Sequence, residues 1–144
     1  MDIRIYYEDT DAAGVVYHAN YLKYFERART EYFRDKGWPV AQLASDGFVF
    51  PVVRMEINFL SPGRHDDALS VSTIPVRVGG SSFTIQQSIV RKVDGRQLVG
   101  ALVTLACITP QLKARRIPAD IRQLLEAERL SRHDLGLAAE STGE

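Results

Sequence analysis

Apolar residues recur at different spacings along this chain, and each spacing predicts a different element. Residues 2–8 alternate weakly between apolar and polar side chains and predict a short strand, while residues 9–17 have the Asp, Thr and Gly content of a loop. From Ala19 to Lys36 apolar and aromatic residues recur at steps of three and four, which predicts a helix with a broad apolar face. Asn20 or a residue just before it is the expected N-cap, and Gly37 ends the helix.

The middle of the chain follows the period of two that is typical of strands. Turn sequences rich in Gly, Pro and Ser separate the apolar runs. Asp94-Gly95 is the strongest hairpin signal among them, because glycine tolerates the positive φ of a tight turn. A short helix is predicted at Val40–Ser45, ahead of these runs. The predicted strands cover residues 48–60, 68–78, 82–93 and 97–109.

The order of elements is a strand, a long helix and then four strands, which predicts an α+β fold. An antiparallel sheet wrapped around the long helix would cover the helix's broad apolar face. A C-terminal helix is expected over residues 118–130, with Pro118 in its first turn. The sequence has no internal repeat or linker. Residues 1–130 are therefore predicted to form a single domain, and residues 131–144 a flexible C-terminal tail.

Charge and hydropathy exclude several classes of protein. Lys plus Arg and Asp plus Glu number 18 each, so the chain has no basic excess to attract nucleic acid or anionic lipid. No window approaches the roughly 20 apolar residues of a transmembrane segment, and the charged N-terminus has no signal-peptide core. A cytoplasmic protein is therefore expected. The single cysteine, Cys107, excludes an intrachain disulfide and is expected to be a buried thiol.

The loop before the long helix holds two aspartates and a glycine and ends at a histidine, and four interpretations of it compete. Asp9 and Asp11 could be ordinary turn and capping residues. As a carboxylate pair they could act on a glycosidic bond, but nothing in the sequence sets the required separation between them. A metal site built from these aspartates and His18 lacks a recognisable ligand spacing, so no metal is expected.

The fourth interpretation is acyl transfer at the start of the helix. The first N–H groups of a helix have no partner within the helix and can hold a developing oxyanion, here near Tyr17 and His18. Asp11 would lie beside the bound carbonyl as base or nucleophile. Gly14 would let backbone and ligand approach closely. For His18, the backbone N–H is expected to matter more than the ring.

The residues around this loop resemble a known family, the hydroxybenzoyl-CoA thioesterases. The longer run YEDTDAAGVVYHANYLKYFERARTE is most similar to the Tol-Pal-associated acyl-CoA thioesterase branch of that family. Similar elements follow at residues 59–62, 66–67 and 117–120, so the resemblance covers residues 2–130. The positions that match the family signature are Arg4-Ile5, Thr10-Asp11, Gly14 to Tyr17 and His18 to Tyr21.

The resemblance implies the hotdog fold, in which a curved antiparallel sheet surrounds a central helix. It implies that Asp11 is the catalytic carboxylate and that the backbone N–H of His18 polarises the carbonyl, with Gly14 and Tyr17 in the substrate site. It further implies hydrolysis of an acyl-CoA thioester without a cofactor, in a homodimer or homotetramer whose sheets join edge to edge. Acyl carrier protein stays open as an alternative carrier, and the acyl group is not specified.

Two features depart from the family pattern, His65 at a turn position where an aromatic residue such as tyrosine is expected, and the turn before the fourth strand. The hydroxybenzoyl enzyme has basic residues for coenzyme A phosphates in the turn before its fourth strand, whereas residues 79–82 of this chain read GGSS. Arg77, Arg91 and Lys92 are nearby candidates for phosphate contacts, although each is better explained as a solvated charge. Two other functions stay open: hydration or dehydration of an acyl chain on the same fold, and non-catalytic binding of acyl-CoA or acyl carrier protein.

Overall fold

The computed structural model describes residues 1–129 of the chain. The predicted C-terminal tail lies outside these residues, and the single domain stays a prediction. The strands are β1 (Asp2–Arg4), β2 (Val52–Phe59), β3 (Ala68–Val78), β4 (Ser82–Arg91) and β5 (Gln97–Ala106). The helices are α1 (His18–Asp35), α2 (Val40–Ser45) and α3 (Ala119–Glu128), and a 3-10 turn covers Tyr7–Asp9.

The five strands form a sheet in the order β1-β3-β4-β5-β2. β1 pairs antiparallel with β3, so that Ile3 lies opposite Leu69. Short turns join β3 to β4 and β4 to β5, and these three strands are neighbours in the sheet as they are in sequence. The sheet and the long helix α1 confirm the predicted α+β class.

Most element boundaries agree with the predicted ones, and the differences have local causes. β3 has the predicted bounds, and α1 starts one residue earlier than expected. The chain leaves β1 early because the Asp9 carboxylate accepts the Tyr6 N–H at 2.8 Å and closes the 3-10 turn. The strand predicted over residues 48–60 begins only at Val52, since Pro51 has no N–H to donate to a ladder.

The end of α1 is a Schellman motif, as the glycine after the helix predicts. Gly37 has φ +92° and donates its N–H to the Arg34 carbonyl at 3.0 Å. The Trp38 N–H reaches back to the Phe33 carbonyl at 2.9 Å. These bonds satisfy carbonyls that the last helical turn leaves unpaired.

The described residues form two compact units. The first comprises Met1–Pro39, Ile57–Thr73 and Gln87–Ala101, and the second comprises Val40–Glu56, Ile74–Gln86 and the described residues from Leu102 onwards.

In the first unit, a buried glutamine joins α1 to the sheet. The amide nitrogen of Gln87 donates to the Phe25 carbonyl at 3.0 Å and to the Thr73 hydroxyl at 3.1 Å, and its oxygen accepts from Arg29 at 3.1 Å. A buried amide is costly unless its polar atoms are paired, so these bonds favour one position of α1 on β3 and β4. The buried residues of α1 are Tyr21, Tyr24, Phe25, Ala28 and Phe33.

The second unit has a core of its own, to which α2 and α3 contribute. Leu43 of α2 and Leu125 of α3 are buried together with residues of the strands. Cys107 is buried as predicted, and burial raises the pKa of its thiol. Across residues 1–129, none of the helices has the length and apolar character needed to cross a membrane.

Candidate active site

Asp11 opens a tight hairpin turn in the first unit. Thr10 and Val16 form an antiparallel bridge, and within it the Asp11 N–H donates to the Val15 carbonyl at 2.9 Å. The Gly14 N–H donates to the Asp11 carbonyl at 3.0 Å, and Gly14 has φ +79°. This pattern is typical of a hairpin turn that ends on a left-handed glycine. The predicted loop is therefore an ordered turn with Asp11 at its first position.

The two carboxylate oxygens of Asp11 differ in their surroundings. Oδ1 accepts the Ala13 N–H at 2.9 Å, an Asx turn that fixes the orientation of the side chain. Oδ2 makes no hydrogen bond with any residue in the described part of the chain, and the side chain is exposed. One oxygen thus holds the carboxylate in place while the other is open to a ligand.

Asp9 has a structural role instead. Its Oδ2 accepts the Tyr6 N–H at 2.8 Å, and its backbone carbonyl accepts the Tyr17 N–H at 3.0 Å and the Asn20 side-chain amide at 2.9 Å. The capping interpretation therefore holds for Asp9, and Asp11 also makes a turn bond. Within residues 1–129, no group of three or more His, Cys, Asp or Glu side chains is placed to hold a metal ion.

The helix that follows this turn begins with unpaired donors. Tyr17 is the N-cap of α1 and makes no side-chain capping bond. The Asn20 N–H donates to the Tyr17 carbonyl at 2.8 Å. The N–H groups of His18 and Ala19 make no hydrogen bond to any described residue. Unpaired donors and the dipole of an 18-residue helix favour negative charge at this end.

A cleft of about 280 Å³ opens beside the start of α1. The His18 ring packs on the Tyr17 ring at 4.6 Å between centroids and meets the Phe59 ring edge-on at 6.2 Å. Most of the lining is apolar, which suits an acyl chain or ring. The lining residues are Val16, His18, Tyr21, Phe59, Leu60, Ser61 and Pro62.

A close backbone contact supports one wall of this cleft. Gly63 donates its N–H to the Tyr21 hydroxyl at 2.9 Å, and its carbonyl accepts the Val16 N–H at 2.9 Å. A Cβ at Gly63 would lie 2.8 Å from Ile5 Cδ1 and 3.2 Å from the Tyr21 hydroxyl, so only glycine fits without rearrangement. Burial raises the pKa of Tyr21 and keeps its phenol neutral.

Of the four site residues that the sequence predicts, only His18 lines the cleft. Asp11 and Gly14 lie in the hairpin turn, and Tyr17 is the exposed N-cap of α1. The wall formed by residues 59–62 was not predicted as part of the site. Its signal in the sequence is the Phe-Leu-Ser-Pro run that begins at the last residue of β2, which matches the family but is also typical of an ordinary turn.

Three arginines surround the Gly79-Gly80 turn in the second unit. Arg122 Nε donates to the Gly79 carbonyl at 3.1 Å. A Cβ at Gly80 would lie 3.7 Å from Arg116 Nη2, and one at Gly79 would lie 3.4 Å from Arg77 Nη1. None of these guanidinium groups forms an ion pair within residues 1–129. Their positive charges are therefore available to an anion.

The other two candidates for phosphate contacts are already paired. Arg91 donates to the Asp94 carboxylate at 2.8 Å, and the Lys92 ammonium group lies 3.0 Å from the Asp2 carboxylate. The Arg91 guanidinium and the Arg96 N–H hold the pKa of Asp94 at about 2. The sequence suggests Arg77, Arg91 and Lys92 for phosphate contacts. Of these three residues, only Arg77 has no acidic partner among the described residues.

Comparison with known proteins gives one consistent result. Residues 13–97 match the model of the thioesterase superfamily. A relative from Escherichia coli O157:H7, acyl-CoA thioester hydrolase YbgC, is 38% identical over 120 residues, which are 83% of this chain and 89% of the relative. The crystal structure of a probable thioesterase from Bartonella henselae is 41% identical, with a TM-score of 0.77 over 82% of this chain and 97% of the other. A 1,4-dihydroxy-2-naphthoyl-CoA thioesterase from Synechocystis has the same fold, with a TM-score of 0.80, 24% identity, and 87% and 93% of the two chains covered.

Proposed function

The chain belongs to the thioesterase superfamily, and on that premise we propose that it hydrolyses an acyl-CoA thioester to the free acid and coenzyme A. The observation that carries this proposal is the pair of unpaired N–H groups, on His18 and Ala19, at the start of α1 beside a largely apolar cleft. Relatives named acyl-CoA thioester hydrolase cover most of the chain and support the same reaction.

The thioester carbonyl would lie across the start of α1. Its oxygen gains negative charge as the carbonyl carbon becomes tetrahedral, and the His18 and Ala19 N–H groups would stabilise that charge. Donors placed in this way are commonly worth about 3 to 4 kcal/mol each, and the helix dipole adds about 0.3 to 1 kcal/mol. The acyl group would extend along Phe59 and Tyr21 in the cleft.

Asp11 would either activate a water molecule as the nucleophile or act as the nucleophile itself. As a general base, it removes a proton from water, the hydroxide adds to the carbonyl carbon, and the carbon–sulfur bond breaks to release the thiol. As a direct nucleophile, it adds to the carbonyl carbon, the carbon–sulfur bond breaks to expel the coenzyme A thiolate, and water then hydrolyses the resulting mixed anhydride. The open Oδ2 and the bonded Oδ1 of Asp11 suit either role. Neither route needs a metal ion or cofactor.

The carrier is proposed to be coenzyme A, and Arg77, Arg116 and Arg122 are proposed to contact its phosphates in the oligomer. Guanidinium groups without carboxylate partners are well suited to phosphate oxygens.

Arg116→Gln should raise the KM for an acyl-CoA several-fold and leave kcat unchanged. The same substitution should have no effect on an acyl-pantetheine, which has no nucleotide. Arg34→Gln is the matched control, because Arg34 is paired with Glu31 and lies in the last turn of α1. An equal effect on both substrates would contradict the assignment.

A hydrolysis panel separates this function from its rivals. Thiol release is measured with short, long and aromatic acyl-CoAs, and consumption of an enoyl-CoA is measured in parallel. A thioesterase releases thiol and leaves the enoyl double bond intact. A hydratase consumes the enoyl-CoA without releasing thiol, and a binding module binds acyl-CoA or acyl carrier protein without turnover. Either of these results would overturn the proposed function.

We propose the cytoplasm as the compartment and a homodimer or homotetramer as the assembly. β1 and β2 are the edge strands of the sheet, and exposed strand edges tend to pair with another chain. β2 is largely exposed, including Val53 at 60% and Phe59 at 52%. Pairing of β2 with its copy would cover these residues.

A further inference from the structure

Asn20 connects the two halves of the proposed site. Its side-chain amide donates to the Asp9 carbonyl at 2.9 Å, in a partly buried contact. Asp9 lies two residues before Asp11, and Asn20 lies two residues after His18. This bond therefore joins the 3-10 turn that precedes the Asp11 turn to the helical turn that begins with His18.

The Asp9 carbonyl is a shared acceptor. It also accepts the N–H of Tyr17, the N-cap of α1, at 3.0 Å. Asn20 uses its backbone as well, because its N–H donates to the Tyr17 carbonyl at 2.8 Å. Asp9, Tyr17 and Asn20 thus form a closed set of hydrogen bonds at the start of α1. None of these atoms belongs to the cleft lining.

The sequence predicts Asn20, or a residue just before it, as the N-cap of the long helix, but in the structure Asn20 makes a different contact. The N-cap is Tyr17, and Asn20 is the third residue of α1. Its side-chain amide does not bond to the helix start and instead donates to the Asp9 carbonyl at the end of the 3-10 turn. A capping role would stabilise α1 alone, whereas this bond holds α1 in place relative to the turn.

We propose that Asn20 is a positioning residue for the thioesterase reaction, which sets the placement of the Asp11 carboxylate relative to the donors of His18 and Ala19. The inference rests on the proposed function. A base and an oxyanion site act together only when both reach the same carbonyl, and a misplacement of about 1 Å costs about a hundredfold in rate. Asn20 touches neither group, so its effect is expected in kcat.

The test is Asn20→Asp, which preserves the shape of the side chain but replaces the donating amide by an acceptor. We expect kcat to fall about 10- to 100-fold, with KM changed less than about threefold. Gln111→Glu is the matched control, because it makes the same change from amide to carboxylate at an exposed turn residue of the second unit. Asn20→Ala is the second variant if Asn20→Asp folds poorly, and circular dichroism establishes folding in each case.

A double-mutant cycle with Asp11→Asn distinguishes positioning from a general structural effect. If Asn20 acts through the carboxylate, Asn20→Asp costs little, less than about threefold, once Asp11 is already asparagine. The same loss in both backgrounds would overturn the inference, as would an unchanged kcat or a rise in KM alone. Reduced turnover of Asp11→Asn without coupling to Asn20 overturns only the role of Asn20. Wild-type turnover of Asp11→Asn overturns the proposed mechanism and this inference together.

Hydrogen–deuterium exchange gives a readout that is independent of activity. Loss of the Asn20 side-chain bond should speed exchange at the Tyr17 and Asn20 backbone amides, which donate to the Asp9 and Tyr17 carbonyls, and leave the amides in the middle of α1, beside the Gln87 contact, protected. Exchange that is equally fast along all of α1 would indicate general destabilisation and would overturn a positioning role.

Discussion

At the scale of single residues, two neighbouring tyrosines on α1 differ in the hydrogen bonding of their hydroxyl groups. The Tyr21 hydroxyl accepts the Gly63 N–H at 2.9 Å. The Tyr24 hydroxyl is buried and makes no hydrogen bond with any residue from 1 to 129. Burial, and then the negative charge of Asp9, raise the pKa of Tyr24 above its ordinary value near 10. The neutral phenol is therefore the form that folding favours.

Tyr24→Phe should leave the free energy of unfolding at neutral pH unchanged or raise it by about 1 to 2 kcal/mol, because it removes an unsatisfied donor. Tyr21→Phe is the matched control and should lower that free energy by about 1 to 3 kcal/mol, since the buried Gly63 N–H loses its acceptor. Urea unfolding of both variants measures the difference. A loss above about 1 kcal/mol in Tyr24→Phe would show that its hydroxyl has a partner.

The raised pKa of Tyr24 also predicts an alkaline effect. The pKa of the Tyr24 phenol is higher in the folded protein than in the unfolded chain, where it is near 10. Its contribution to stability is therefore complete below pH 10 and is lost as the pH rises from there towards the pKa of the folded state. The melting temperature of the wild type should therefore fall more steeply above pH 10 than that of Tyr24→Phe. Parallel curves for the two proteins would contradict this assignment.

Single residues also show what the sequence could and could not predict about the site. Asp11 and His18 were predicted as site residues because a carboxylate and a helix start lie close together in the chain. The separate role of Asp9 depends on the 3-10 turn that it closes, which no short-range pattern indicated. Gly63 supports the cleft through contacts with Ile5 and Tyr21, and such long-range packing leaves no local signal.

At the scale of elements, the turn that carries Asp11 depends on one backbone conformation. Gly14 has φ +79°, and no atom lies within 4 Å of a Cβ placed there. A substitution at this position is therefore penalised by the backbone conformation, without a steric clash.

Gly14→Ala should lower the free energy of unfolding by about 1 kcal/mol, the usual cost of a left-handed residue that has a Cβ. Gly14→Asn should cost less, because asparagine tolerates this region. Chemical denaturation of the two variants, with kcat measured alongside, tests the turn. Equal stability of Gly14→Ala and the wild type would mean that the turn is not held in this conformation.

The elements themselves were largely predictable. α2 and β3 have the predicted bounds, and α1 is displaced by a single residue, because periodicity and the glycine after the helix agree. The hairpin at Asp94-Gly95 forms with Gly95 at φ +69°, although the loop between its strands covers residues 92–96. β1 and β2 are shorter than predicted, since a side-chain bond from Asp9 and a proline at position 51 override the alternating pattern.

At the scale of the whole molecule, the sheet has β1 and β2 as its edge strands. Tight turns make β3, β4 and β5 neighbours, and this part of the order follows from the sequence. The positions of β1 and β2 at the edges depend on pairing over long distances in the chain, which turn signals do not encode. β2 combines a free edge with exposed apolar side chains, so it is the proposed surface for a second copy.

Val53→Asp should shift the assembly towards monomer, because it places a charge on an edge strand that would otherwise pair. Val53 is 60% exposed in this chain. Val93→Asp is the control, since Val93 is 87% exposed and lies in the turn between β4 and β5. Light scattering after size exclusion gives the mass of each variant. An unchanged mass for Val53→Asp would contradict the proposed role of β2.

The most direct test of the proposed mechanism is the kcat of Asp11→Asn on an acyl-CoA that the wild type hydrolyses. The substitution preserves size and the Asx turn but removes the charge, so kcat should fall by about 10² to 10⁴ while the circular dichroism spectrum stays the same. Asp35→Asn, at an exposed aspartate in the last turn of α1, should keep wild-type turnover. Turnover of a folded Asp11→Asn protein within about threefold of the wild type would contradict a catalytic role for Asp11.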